Sequence, residues 1–319
     1  MINKKQPLVG IVIVNWNGGD KIVECLTSLN KTTYDNYKVI LIDNGSIDDS
    51  IIKLKEINKD MDIISLPKNF GYTIATNIGW KHAIEKYNAD YICAMDSDII
   101  TIQDNWLTLQ INELEKNIMN GISCCKLIFP DNTLQLLYLG RPTDNYSEKD
   151  EGQFDFIKEV DAVGGAAIII KTSLIKKLGY YDENFFYGPN DLDYCLRAKK
   201  LGYKVIYNGL VKAIHNGSSS YLATNSDNIF EPQSYGNVLV TLRHGGRYAG
   251  SKMAAREFVR IFITRKYPFK PISLTNLNCH PHIFKRGSGW FRSVRDAIKN
   301  YKMIKNDNYE SSIIKNEKD

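Results

Sequence analysis

Metal-binding cysteine spacing is missing from this chain of 319 residues: its six cysteines, Cys25, Cys93, Cys124, Cys125, Cys195 and Cys279, form no C-x-x-C pair. That argues against a zinc module, and six thiols in so long a chain exclude a small disulfide scaffold. Several of them sit inside apolar runs, as reduced packing thiols do. No apolar run approaches the roughly 18 residues that span a bilayer. The opening Met1-Ile2-Asn3-Lys4-Lys5-Gln6-Pro7 leads into a strand-like run instead of a signal-peptide hydrophobic region, so a cytoplasmic protein is expected. No internal repeat is visible. With 43% hydrophobic and 24% charged residues, the chain is neither disordered nor fibrous in composition. Its length allows one large or two small domains with a substantial core.

Acidic excess is absent from the end of the chain. Residues 231 to 319 carry 17 Lys and Arg against 7 Asp and Glu, whereas residues 1 to 230 carry 24 against 29. A slightly acidic body is therefore expected at 1–225, followed by a basic, mostly helical extension at 226–319 suited to an anionic surface or polymer.

Within the body two periodicities alternate. Leu8–Val14 is an apolar run, and Ile22, Val23, Leu26 and Leu29 follow at helical spacing. Val39–Ile42 and a helix over Ile51–Ile57 repeat the unit, as do Asp62–Leu66 with Phe70–Tyr87, and Tyr91–Met95 is a fourth strand. Such alternation predicts an α/β fold with a Rossmann-like, mainly parallel sheet flanked by helices. Further on, Ile122–Gly140 reads as two strands around a turn at Pro130-Asp131-Asn132, and 141–158 as a mobile loop. Val160–Ile170 reads as a strand interrupted by Gly164-Gly165, and Asn190–Leu201 as a helix closed by Gly202. Ser251–Arg265 and Gly289–Ile304 read as basic amphipathic helices, the second with Trp290, Phe291, Val294, Ile298 and Tyr301 on one face.

Ligands of open parallel sheets bind beyond the carboxyl ends of the strands. Asn15 and Asn17 follow the first strand there, Asp43 and Asn44 the second, and Asp96 and Asp98 the fourth. Singly, Asp43-Asn44-Gly45-Ser46 is an ordinary turn and Ser46-x-x-Asp49 an ordinary capping box; three strands delivering such groups to one rim is a stronger signal. In Asp96-Ser97-Asp98, strand alternation would turn both carboxylates to one site, where hard oxygens suit Mg²⁺ or Mn²⁺ carrying a diphosphate.

These stretches together resemble the family 2 glycosyltransferases of GT-A fold, in particular the rhamnosyltransferase-like branch. The resemblance runs through Val12–Gly19, Leu41–Ser46, Asn69-Phe70-Gly71 with Asn77-x-Gly79, Asp96-Ser97-Asp98 and Gly164-Gly165-Ala166. It continues through Gly179–Phe186 and Asn190–Arg197 to His215, covering about residues 8 to 220. It implies that Asp43 contacts the nucleotide base and that Asn15 lines the nucleotide pocket, with Asn17, Asn44 and Ser97 beside them. Asp96 would lie near the ribose, Asn69 and Asn77 would support the pocket, and Asp98 with His215 would hold the Mn²⁺ or Mg²⁺.

Where the family carries Glu-Asp at the start of its acceptor-side helix, this chain has Asn190-Asp191 after Pro189. Asn190 is a good N-cap and Asp193 can complete a capping box, which leaves Asp191 as the candidate general base for an acceptor hydroxyl. The expected activity is metal-assisted, inverting transfer from a nucleoside-diphosphate sugar to a glycan, lipid-linked or protein-linked acceptor. Two rivals stand beside it. A sugar-phosphate nucleotidyltransferase would need Arg and Lys in its first loop, and Asn15–Asp20 has neither. An inactive nucleotide-sugar-binding module is the other. The basic extension is expected to meet an anionic partner, either a membrane surface at the cytoplasmic face or an acidic glycan, or to form a homo-oligomer; no nucleic acid is expected.

Overall fold

The computed structural model describes residues 6–57, 61–135, 148–216, 227–263 and 283–304. Its first half follows the alternation: β1 (Val9–Asn15), α1 (Gly19–Leu29), β2 (Tyr37–Asp43), α2 (Ser50–Ile57), β3 (Asp62–Ser65), α3 (Tyr72–Tyr87) and β4 (Tyr91–Asp96). There follow β5 (Ile99–Thr101), α4 (Trp106–Glu115), β6 (Asn120–Ile128), β7 (Ile157–Val160), β8 (Ala167–Lys171), α5 (Thr172–Leu178), α6 (Asn190–Lys200) and β9 (Lys204–His215). Two long helices, α7 (Asp227–Ile263) and α8 (Ile283–Ile304), end the described chain.

One nine-stranded sheet runs β3-β2-β1-β4-β8-β6-β9-β5, with β7 also on β9. The β3-β2-β1-β4 half is parallel, whereas β8 runs antiparallel to both β4 and β6, so the sheet is mixed. β1 lies in the middle of the parallel half and is buried on both faces. Its Val12 packs with Ile40, Trp80 and Ala83, while Ile11 and Ile13 pack with Ile22, Cys25 and Leu26 across the sheet. Each such aliphatic side chain, fully buried, contributes about 1.5–3 kcal/mol. Cys25, Cys93, Cys124, Cys125 and Cys195 are buried free thiols within this packing; Cys279 lies outside the described residues.

Several sequence expectations change. The span 148–158 is fastened instead of mobile: the fully buried Lys126 ammonium donates to Asp150 at 2.8 Å and also pairs with Asp155, and β7 begins at Ile157. Residues 136–147, with most of the second expected strand, lie outside the described residues. Before them, Thr133 and Leu134 form isolated bridges to Lys149 and Ile128. Val160–Ile170 is two strands, β7 and β8, because Asp161–Ala166 leaves the sheet to approach α6. The expected helix at Ser251 is the second part of a longer one that begins at Asp227 and kinks at Gly246 (φ 77°).

The extension shares a core with the body. Phe185 of the body is buried among Val238, Leu239, Val240 and Leu242 of α7 and Ala297 of α8. Gly236 of α7 permits this approach, since a Cβ there would stand 2.4 Å from the Gly188 carbonyl oxygen. Asn300 of α8 donates to Tyr235 Oη at 2.7 Å and to Asn184 Oδ1 at 3.4 Å.

Candidate active site

Register places the site. Parallel pairing sets Asn15 opposite Asp43 and Val14 opposite Asp96, so the ends of β1, β2 and β4 form one rim. β5 pairs antiparallel with β9, with Ile99 opposite His215, which brings the last residue of β9 beside Asp98. The two carboxylates converge by a different route from strand alternation: β4 ends at Asp96, and Ser97 and Asp98 form a tight turn into β5.

One ligand atom each from Asp96, Asp98 and His215 lie within 4.8 Å of one another. His215 Nε2 stands 3.3 Å from Asp98 Oδ1 and 3.6 Å from Asp96 Oδ2. The other ring nitrogen, Nδ1, is 2.8 Å from Gln135 Oε1, and the Gln135 amide donates to the His215 carbonyl at 3.0 Å. That second bond sets Gln135 with its oxygen toward the ring, so Nδ1 carries a proton and Nε2 faces the carboxylates; burial lowers the His215 pKa, but the Asp98 hydrogen bond and the Asp98 and Asp96 charges overcome it and raise the group. Two carboxylates and an oriented imidazole are a donor set that Mn²⁺ or Mg²⁺ accepts, and the anchored second nitrogen is the usual support of a ligating histidine. Burial, with the Asp98 charge, pushes the Asp96 carboxyl up against the opposing pull of His215 and of the hydrogen-bonded Tyr72 hydroxyl.

Asp191 enters from the start of α6. Its Oδ2 accepts from Gly165 N–H at 2.8 Å and its Oδ1 from Leu192 N–H at 2.8 Å. It therefore has structural contacts, contrary to the expectation that it stands idle. Gly165 makes the approach feasible: a Cβ there would lie 3.1 Å from the Asp191 Cβ. Burial raises the Asp191 carboxyl to about 6, with the Asp96 charge adding to the rise and the two N–H groups opposing it. Asp191 and Asp96 thus sense one another electrostatically.

The capping assignment at this helix is overturned. Pro189 occupies the N-cap position, no side chain caps α6, and Asp193 is fully buried in an ion cluster. It accepts from Arg197 Nε at 2.8 Å, Arg243 Nη1 at 2.7 Å and His244 at 2.9 Å, and Arg243 also pairs with Asp182. Arg243 and His244 come from α7, a link 50 residues away in sequence that a local reading of the helix start could not contain.

The asparagines of the rim hold its loops together. Asn15 is buried, and its amide donates to Ser46 and Ser50 hydroxyls at 3.1 and 2.9 Å. Its buried Oδ1 has no hydrogen-bond partner among the described residues. Asn17 accepts from Ile47 N–H at 2.9 Å, and Asp43 accepts from Ser46 N–H at 3.1 Å. Asn44 bridges to Asn69 Oδ1, the Gly71 carbonyl and Phe70 N–H. Asn77 lies apart from the rim, buried with both ends of its amide on Tyr181 backbone and thus tying α3 to the 181–185 segment. Two site residues had no local signal in the sequence: Tyr72, next to Gly71, and Gln135, whose partner is 80 residues away.

A central sheet with its carboxylates and histidine gathered at one rim defines the chain as a GT-A-type α/β protein. Residues 10–178 match glycosyl transferase family 2, and the chain belongs to that family. An uncharacterized glycosyltransferase of Rickettsia typhi is 28% identical over 231 residues, covering 70% of this chain and 69% of that one. The low-salt glycan biosynthesis hexosyltransferase Agl10 of Haloferax volcanii is 23% identical, covering 65% of this chain and 67% of its own. The O-antigen biosynthesis protein RfbC of Myxococcus xanthus is 22% identical over 67% of this chain, which spans 18% of RfbC. Other relatives are also far longer: the match takes in 25% of an uncharacterized Sinorhizobium fredii protein. Among solved structures, the mannosyltransferase PcManGT of Pyrobaculum calidifontis, in complex with GDP-Man and Mn²⁺, superposes with TM-score 0.56 at 12% identity, covering 93% of this chain and 88% of its own. TarS 1–349 of S. aureus with UDP-GlcNAc gives 0.55 at 16% identity over 92% and 81%. At such identities the likeness is one of fold.

Proposed function

We propose that the protein is an inverting glycosyltransferase that moves a sugar from a nucleoside diphosphate to an acceptor hydroxyl, in the synthesis of a cell-surface glycan or glycoconjugate. The observation that carries this reading is the Asp96-Asp98-His215 cluster on the same rim as Asp191, a carboxylate with a proton affinity suited to a base near neutral pH. Asp98 and His215 would hold the Mn²⁺ or Mg²⁺, with Asp96, the third member of the cluster, beside the ribose. A divalent ion bound there supplies positive charge against the diphosphate as it leaves. Asp43, opposite Asn15 at the rim, contacts the base, and the buried Asn15 lines the pocket from behind by holding Ser46 and Ser50.

Asp191 takes the proton of the acceptor hydroxyl. The acceptor oxygen then bonds to the anomeric carbon as the bond from that carbon to the diphosphate oxygen breaks, with inversion and no covalent enzyme intermediate. Orientation of the two reactants contributes most of the remaining acceleration. The relatives named for glycan and O-antigen biosynthesis support a surface-glycan product, and the neighbours holding UDP-GlcNAc or GDP-Man support a nucleotide-sugar donor. Among the described residues no helix is long and apolar enough to cross a membrane. We place the chain in the cytoplasm, at the inner face of the membrane.

The test is incubation of the purified chain with UDP-, GDP- and dTDP-sugars, with Mn²⁺ or with chelator, scored by released nucleoside diphosphate. Metal-dependent release of diphosphate from at least one donor is expected. Pyrophosphate release from a nucleoside triphosphate and a sugar phosphate would favour the nucleotidyltransferase. Tight donor binding without turnover would leave a binding module.

A further inference from the structure

The two helices of the extension leave an open groove between them, about 460 Å³, walled by Val238, Leu242, Ala254, Phe291, Val294 and Ile298. Its far rim is apolar and exposed: Phe291 is 64% and Ile298 42% accessible, seven residues apart on one face of α8. Tyr248 of α7, 84% accessible, lies three and seven residues before Ser251 and Ala255, which also line the groove. The same side of α8 carries Arg292, Arg295 and Lys299, all exposed, and Lys252 is exposed on α7. The opposite side of α8 is occupied, with Ala297 in the core shared with Phe185 and Asn300 bonded to Tyr235 and Asn184. The exposed face is therefore anchored to the body through the opposite side of the helix.

We infer that this face of α7 and α8 docks on an anionic lipid bilayer, with Phe291, Ile298 and Tyr248 entering the headgroup region and the basic residues meeting lipid phosphates. Charge complementarity selects this occupant. The only nearby acid on α8 among the described residues is Asp296, which pairs with Arg295 at 2.8 Å, and the chain beyond residue 230 carries a net +10. A second basic copy of this face would be repelled by the same charge, whereas an anionic surface concentrates it. Aromatic and aliphatic side chains flanked by Arg and Lys are what a helix lying in the interface requires. Spanning is not needed, and the helices are too polar for it. The docking is independent of the reaction proposed above and is read without turnover.

The experiment is co-sedimentation of the full chain with vesicles of phosphatidylcholine alone or with about a third phosphatidylglycerol, at 50 and 500 mM salt. Binding to the anionic vesicles at low salt is expected, with a loss of tenfold or more at high salt, where the screening length falls from about 14 Å to about 4 Å. Phe291→Ser with Ile298→Ser, and separately Arg292→Glu with Lys299→Glu, are each expected to lower binding at least tenfold. Melting temperatures measured alongside confirm that both double variants are folded at the assay temperature. Absence of binding to anionic vesicles by the folded wild type overturns the inference. So does wild-type binding that neither double variant reduces. If light scattering shows a dimer that Phe291→Ser/Ile298→Ser converts to monomer, the face is covered by a second copy and the inference is likewise overturned.

Discussion

Asp193→Asn separates a helix cap from a buried charge hub by its cost. A lost cap costs about 1 kcal/mol. Asp193, however, is fully buried and receives three cationic or ring donors within 2.9 Å, two of them from α7. Asparagine preserves the shape but leaves Arg197 and Arg243 without that charge, and removing one partner of a buried pair costs about 3–5 kcal/mol. Urea unfolding at pH 7.5, followed by tryptophan fluorescence, reads the difference. Arg243→Met alone should also destabilise, and because the two side chains touch, the double variant should lose about 0.5–3 kcal/mol less than the sum of the singles. The sign of the pH dependence follows from the same contacts. Burial alone would raise the Asp193 carboxyl; Arg197, His244 and Arg243 overcome it and hold the group well below the usual carboxylate range. A depressed folded pKa contributes stability above the unfolded value, about 3.9, and that contribution fades as pH falls below it. The wild type should therefore lose its advantage over Asp193→Asn below about pH 4. A loss near 1 kcal/mol, additive with Arg243→Met and constant with pH, would refute the hub.

Asp191→Asn is expected to lower kcat by about 10² to 10⁴-fold with little change in donor affinity. The wild-type rate should fall as pH drops through about 6, where the base becomes protonated, or at a lower pH when a bound dication adds its positive charge; a pH–rate profile on both proteins checks this. Asp98→Asn should abolish the Mn²⁺-dependent rise in melting temperature, measured by thermal shift with nucleoside diphosphate present. Gln135→Leu, which removes the anchor of His215 Nδ1, should weaken metal affinity about 10–100-fold while leaving the fold intact, as titration calorimetry would show. Gly165→Ala should push Asp191 from its place and lower kcat more than it lowers unfolding temperature.

What the sequence revealed depended on how local its cause was. The parallel half of the sheet was legible because β1, β2 and β4 are buried apolar runs and their helices show a 3.6-residue period. Asp96, Asp98 and His215 were legible as a constellation. The turn at Ser97 was not, since strand alternation and a tight turn predict the same convergence from the same three letters. Asp98 is only 5% accessible, with His215 from the end of β9 against its carboxylate, a contact that the local sequence does not encode. The antiparallel β8 follows from where a chain returns, which short-range pattern does not encode. Gln135, Arg243 and His244 were missed for one reason: each acts on a residue 50 or more positions away.

Asp191 and Asp193 show how one helix start makes two carboxylates opposite in chemistry. Both lie in the first turn of α6, where the helix dipole favours negative charge on either. Their side chains then diverge. Asp191 turns to Gly165 N–H in a half-buried setting within reach of the Asp96 charge, and its proton affinity rises to about 6. Asp193 turns to Arg243 and His244 of α7, and its proton affinity falls. Titratable neighbours driven apart in this way mark an assignment of roles, one group able to exchange a proton and the other permanently charged. The permanently charged one fixes the helix start that carries the exchangeable one, and its partners come from the basic extension. An extension that supplies Arg243 therefore helps to build the acceptor side of the site, so a chain cut before α7 would lose the geometry of Asp191 even though every rim residue from Asn15 to His215 remains.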